Sequence, residues 1–276
     1  MLVLRRDFNG TDGHTEFAIP VIPSLSPQDY VAIGRMITHQ FVQCATFPIR
    51  LAQASIQQLL VGDVEDECKI NSFLQMLTPK EREILKNALA CSGSFPTEQV
   101  MDVLEDYGGI RQVPSPKNIR SLVLDIATSE FITKPFFCLL KIREGMGIFW
   151  EKITSAEIKS MYDLSAPSPE RVINSLVLIP LDAKEQQVYR WLQRYLRSSS
   201  DEIIINFLRF CTATDVIVPG KSIAVDVELM APEAVRPKSF TCFRKLILPR
   251  NYQSSFEMRN NLDRYLRDPS IWDLSD

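Results

Sequence analysis

Histidine is nearly missing from this chain: only His14 and His39 occur, both close to its start, and no Cys-x-x-Cys pair stands anywhere. That shortage excludes a Cys/His zinc cluster, which needs four soft or imidazole donors at short spacing. It also disfavours a cysteine hydrolase in the second half, where no imidazole base is available to a nucleophile. Glycine is scarce as well, at ten residues. Gly145-Met146-Gly147 has no strand signal before it and no Gly-x-x-Gly after it, so it reads as a turn and not as a phosphate cradle. No apolar run approaches the roughly 18 residues of a membrane span, and Met1 to Arg6 is too short for a secretory signal. Neither charge dominates: 31 basic and 34 acidic residues give a net charge of -3, and the basic ones are scattered, which leaves no nucleic-acid footprint. The six cysteines, Cys44, Cys68, Cys91, Cys138, Cys211 and Cys242, are spread too widely for a disulfide framework and read as free thiols, most of them buried. The expectation is a cytoplasmic or nuclear protein whose partners are proteins, with no membrane, nucleic acid or metal.

What is present suits a globular fold. Hydrophobic residues make up 45% and charged residues 24% of 276 positions, enough to bury a core in one large domain or two smaller ones. Helix starts recur through the first part. Ser26-Pro27-Gln28-Asp29 sets a capping side chain before a proline, and Val31, Ile33, Met36, Ile37, Phe41 and Val42 follow at mainly helical spacing. Thr78-Pro79-Lys80-Glu81 has capping-box form. Thr97 opens a short helix that stops at Gly108-Gly109, and Ser115-Pro116, Thr154 with Glu157, and Ser168-Pro169 mark further starts.

Near Val177 to Leu181 a proline interrupts an apolar stretch, and Asp182 with Glu185 opens an amphipathic helix carrying Val188, Trp191, Leu192, Tyr195 and Leu196. A boundary there gives an N-terminal lobe over 1–179, a hinge over 180–184 and a C-terminal lobe over 185–276. In the latter a second helix runs from about Asp201 through Phe210. Ile223, Val225, Val227 and Leu229 then alternate with polar or small residues as a strand with one buried face. Ser239 to Leu248 reads as another strand ended by Pro249, and a last helix runs from roughly Ser255 to Arg267. The expected fold class is α+β: a mainly helical first lobe and a small second lobe with a short sheet.

The second lobe holds the segment Arg236-Pro237-Lys238-Ser239-Phe240-Thr241-Cys242-Phe243-Arg244-Lys245-Leu246-Ile247-Leu248-Pro249. It resembles the catalytic segment of HECT-type ubiquitin ligases, a Thr-Cys-Phe core followed by an apolar strand and a proline. Upstream, Phe207-Leu208-Arg209-Phe210-Cys211-Thr212-Ala213-Thr214 is similar to that family's Leu-x-Phe-Val-Thr-Gly stretch, and Trp272 stands four residues before Asp276, where the family commonly places a phenylalanine. Tyr30 to Ile37, with Gly34-Arg35, and Leu59-Leu60-Val61-Gly62 resemble parts of the family's N-terminal lobe, which looks truncated at its start. The region from Thr78 to Trp150 resembles a divergent vertebrate HECT-like group related to the G2/M phase-specific ligase.

The resemblance implies a bilobal enzyme that accepts ubiquitin from a ubiquitin-conjugating enzyme onto Cys242 as a thioester and passes it to a lysine of a protein substrate. Thr241 and Phe243 would shape the loop around the sulfur, Trp272 would orient ubiquitin or the acceptor, and the N-terminal lobe would dock the conjugating enzyme. A thiol suits the task, because its thiolate is strongly nucleophilic and its thioester stays reactive toward amines, so no metal or organic cofactor is required. Two positions depart from the family: Phe240 stands where histidine is frequent, and Arg244 where asparagine is frequent. An arginine turned toward the sulfur would favour the thiolate. On composition alone Cys242 is a buried strand cysteine, and its surroundings reverse that reading. The alternative to a ligase is a HECT-like module that binds ubiquitin or its conjugating enzyme without transfer.

Overall fold

Local capping decides where most helices of this chain begin. In the computed structural model, which describes residues 16–90, 95–108, 112–179, 182–231 and 235–268, Ser26 caps helix α1 (Pro27–Cys44). Its backbone N–H donates to Asp29 Oδ2 at 2.7 Å while its hydroxyl accepts from the Asp29 N–H at 3.4 Å, the reciprocal pairing the sequence predicts. The same box opens α4 (Pro79–Ala90) through Thr78 and Glu81, and α8 (Ser155–Ser165) through Thr154 and Glu157. Between them run α2 (Gln53–Leu60), α3 (Asp66–Met76), α5 (Thr97–Glu105), α6 (Ile119–Thr128) and α7 (Phe136–Met146). Ser115 departs from its expected role. Its N–H and hydroxyl donate to Asn118 Oδ1, forming a turn, and α6 starts only at Ile119.

The chain divides into two compact units, Met1–Asp163 and Leu164–Asp276. The division falls in the last turn of α8, earlier than the boundary expected at 179. In the first unit, α1 and α7 cross with backbones in contact: a Cβ added at Gly34 would lie 2.0 Å from the Ile142 carbonyl oxygen, and one at Gly145 1.9 Å from that of Val31. Gly145 is therefore a helix-crossing residue. Only Gly147, at φ 69, supplies the turn read from the Gly-Met-Gly sequence. The buried face of α1 is Tyr30, Val31 and Gly34, whereas Met36 and Val42 are exposed despite their spacing. Thr38 sits at the same crossing, donating to the Met146 carbonyl and accepting from Trp150 Nε1 at 2.8 Å.

In the second unit Ser168 caps α9 (Pro169–Ser175) and Asp182 caps α10 (Ala183–Arg197), the Asp182 carboxylate accepting from the N–H groups of Lys184 and Glu185. Helix α11 spans Asp201–Thr212 and α12 Ser255–Arg267. Four strands, β1 (Leu176–Val177), β2 (Ile223–Glu228), β3 (Lys238–Phe240) and β4 (Lys245–Pro249), form a sheet in the order β1-β2-β4-β3. β2 pairs parallel with both β1 and β4, and β3 closes the far edge antiparallel to β4. Ile223, Val225 and Val227 turn inward as their alternation predicts, onto Leu192, Leu196, Phe207, Leu246, Leu248 and Leu262. Leu229 lies past the end of β2 and is 78% exposed, so it is not part of that face.

Residues expected to act as a hinge are tied into this unit. Asp182 forms an ion pair with Arg250 at 2.5 Å, and Lys184 Nζ donates to the Tyr252 carbonyl at 2.7 Å. Pro180 and Leu181 lie outside the described residues.

Candidate active-site turn

The segment Ser239 to Leu248, expected as one strand, is two strands joined by a tight turn. β3 and β4 form a hairpin in which Phe240 faces Lys245. The four residues between them leave the sheet: Thr241–Phe243 make one 3-10 turn, and Arg244 takes the left-handed conformation at φ 50. The Arg244 N–H donates to the Thr241 carbonyl at 3.2 Å, which closes the turn. The physical reason for the break lies in the pattern itself. Leu246 and Leu248 alternate into the core on β4, while Phe240-Thr241-Cys242-Phe243 offers no buried alternation to hold a ladder.

The break sets the exposure of the thiol. Cys242 is exposed at the tip of the hairpin, between Phe240, 48% exposed, and Phe243, 79% exposed, with Thr241 partly buried beside it. The turn rests against α11, which holds most of the Phe207–Thr214 stretch singled out in the sequence. That stretch is a helix stop. Ala213 ends α11 in the left-handed conformation at φ 56, its N–H donating to the Arg209 carbonyl, and the Thr212 hydroxyl donates to the Leu208 carbonyl at 2.7 Å. Thr212 and Thr214 hydroxyls meet at 3.1 Å, and Thr214 donates on to the Val216 carbonyl. Ala213 adopts a backbone that a residue without Cβ would enter at least cost.

Cys211, one residue before Thr212, is fully buried in the core, and burial pushes its thiol far above the ordinary range. Arg244 partly offsets that shift, so its charge reaches Cys211. Burial lowers the pKa of Arg244 itself. The guanidinium does not sit free beside the turn: its Nε donates to the Ser222 carbonyl at 3.3 Å.

Of the residues singled out from sequence, Thr241, Cys242 and Phe243 share one turn, and Trp272 lies outside the described residues. Sequence reasoning missed the residues that hold the turn in place, namely Ser222, Ala224, Asp226 and Lys245. The Ala224 N–H donates to the Arg244 carbonyl at 2.9 Å, and Lys245 pairs with Asp226 across β2 and β4 at 2.5 Å. The signal for this support was the opposite charge of Asp226 and Lys245, legible only once their strands are known to be neighbours.

Residues 174–268 match the family model of the HECT domain (ubiquitin-transferase). This segment supports a HECT-type domain in the second unit. The match runs from the end of α9 through α12 and so includes the whole sheet and the Cys242 turn. No curated protein matches the chain. Among the described residues no cluster of His, Cys, Asp and Glu is arranged to hold a metal ion, and no helix is long and apolar enough to cross a membrane.

Proposed function

We propose that this chain is a ubiquitin transferase in which Cys242 carries ubiquitin as a thioester. One observation supports the reading above the others: the cysteine of the HECT-like motif is exposed at the tip of a hairpin, within the segment that matches the family model. The Cys242 thiolate attacks the carbonyl carbon of the thioester joining ubiquitin to its conjugating enzyme, and that enzyme's thiolate leaves. A substrate lysine then attacks the new thioester, Cys242 leaves as thiolate, and the amine proton passes to solvent or to a base on the acceptor. With the only two histidines, His14 and His39, outside the second unit, the base is not an imidazole of that unit.

Thr241 holds the turn through its carbonyl, and the exposed ring of Phe243 is available to an incoming partner. Trp272 serves discharge to the acceptor. The conjugating enzyme docks on the first unit, where Phe136, Phe137 and Leu140 of α7 expose apolar surface beside a groove lined by Gln58, Leu59 and Arg143. The location that fits is the cytosol or nucleus.

The test is a loading assay. Incubated with activating enzyme, conjugating enzyme, ATP and ubiquitin, the protein forms an adduct that reductant removes; Cys242→Ala abolishes it and Cys211→Ala retains it. An adduct that persists in the Cys242 variant would refute the assignment. The second reading, a HECT-like module that binds without transfer, is favoured by the confinement of the family match to 174–268. Under it, the wild type binds ubiquitin or the conjugating enzyme and forms no adduct.

A further inference from the structure

We propose that Arg244 is a positioning residue for Cys242, its side chain clamping the Thr241–Arg244 turn onto the start of β2. The inference rests on the transferase reading. An exposed loop at a hairpin tip is ordinarily mobile, yet transfer between thiols requires the sulfur to be held within roughly 3–3.5 Å of the carbonyl it attacks. Something must therefore fix this turn.

The downstream foot of the turn is fastened to β2 at successive points. Arg244 Nε donates to the Ser222 carbonyl at 3.3 Å, the Arg244 carbonyl accepts from the Ala224 N–H at 2.9 Å, and Lys245 pairs with Asp226 at 2.5 Å. The Arg244 N–H meanwhile returns to the Thr241 carbonyl at 3.2 Å. One residue thus joins the turn to itself and to the neighbouring strand. A left-handed backbone at φ 50 is disfavoured for a residue with a long side chain, so its presence here calls for a compensating contact, and the guanidinium supplies one. Asparagine tolerates this backbone but has no Nε–H to offer Ser222. The arginine therefore adds an anchor that asparagine lacks, placed next to the turn that presents the thiol.

The full chain is compared with Arg244→Asn, which keeps the left-handed backbone and removes the guanidinium, and with Arg244→Lys, which returns a cationic donor on a flexible stem. Three quantities are read: amide exchange of the turn and of Ala224, single-turnover loading from ubiquitin-charged conjugating enzyme, and the pH profile of Cys242 alkylation by iodoacetamide. In Arg244→Asn the turn amides exchange faster, and loading falls by about tenfold. Its alkylation profile stays in place and its melting temperature stays near that of the wild type. Arg244→Lys recovers part of the loading. Wild-type exchange or wild-type loading in Arg244→Asn would overturn the proposal. A displaced alkylation profile would also overturn it, by assigning the loss to charge instead of position. Should the wild type itself fail to load, the transferase reading falls, and the clamp is judged on exchange alone, unchanged protection in Arg244→Asn refuting it.

Discussion

Gly34 and Gly145 in the first unit and Ala213 and Arg244 in the second show two ways of placing a demanding backbone. Where α1 crosses α7, the missing side chains are the point, because each Cβ position is filled by a carbonyl oxygen of the facing helix. In the second unit Ala213, which ends α11, and Arg244, which closes the Cys242 turn, occupy left-handed conformations that glycine would enter more cheaply. The first arrangement tolerates no added atom. The second tolerates side chains because surrounding hydrogen bonds hold them, and at Arg244 the local cost falls beside the exposed thiol.

A single methyl group would break the first half of that comparison. Gly145→Ala places a carbon 1.9 Å from the Val31 carbonyl oxygen, inside any allowed contact, so α1 and α7 must separate. The expected loss is about 3 kcal/mol or more, read by denaturant unfolding with amide exchange resolved for the two helices. Wild-type stability would mean that the crossing is looser than described.

A second contrast sharpens the difference in core chemistry. Each unit encloses a carboxyl, but with different partners: Glu185 of the second is buried and pairs with Arg250 at 3.5 Å, whereas half-buried Glu16 of the first accepts from the Gln53 N–H at 2.8 Å and from the Ser72 hydroxyl at 2.9 Å. Burial outweighs these bonds and the nearby Arg82, raising its pKa from 4.5 to about 7. The sign follows from linkage. Below pH 4.5 the group is protonated in both states and costs nothing. As pH rises toward 7 the unfolded chain releases the proton that the folded chain keeps, so stability falls, and above 7 the full cost of an ionised buried group remains. That cost is at most roughly 3 kcal/mol. Glu16→Gln should flatten the decline and leave the protein more stable than wild type at pH 8, as measured by urea unfolding across pH. An unchanged slope would place the titration elsewhere.

The smallest effect concerns the helix stop at Ala213. Ala213→Gly removes a Cβ from a left-handed residue, and the second unit should gain up to about 1 kcal/mol, seen as a small rise in melting temperature. A loss would show that the Ala213 methyl contributes packing that outweighs its backbone cost.

Helix starts were legible in the sequence because a cap is a bond between residues two or three apart. Ser26, Thr78, Thr154, Ser168 and Asp182 all act as expected. The inward face of β2 was legible for the same reason, since alternation is carried by the strand itself. The identity of Cys242 as the residue to examine came from the motif around it. Left to the tertiary structure were features that depend on what lies across the fold. The division after Asp163 depends on which neighbours α9 and β1 find. The role of Gly145 depends on Val31, far away in the chain. The break between β3 and β4 depends on the pairing of β4 with β2, which commits Leu246 and Leu248 to the core and leaves Cys242 outside it. Local sequence thus determined where elements begin and which cysteine to examine. Only long-range packing decided that this cysteine would stand at an exposed turn, because its exposure follows from the strands that bury its neighbours.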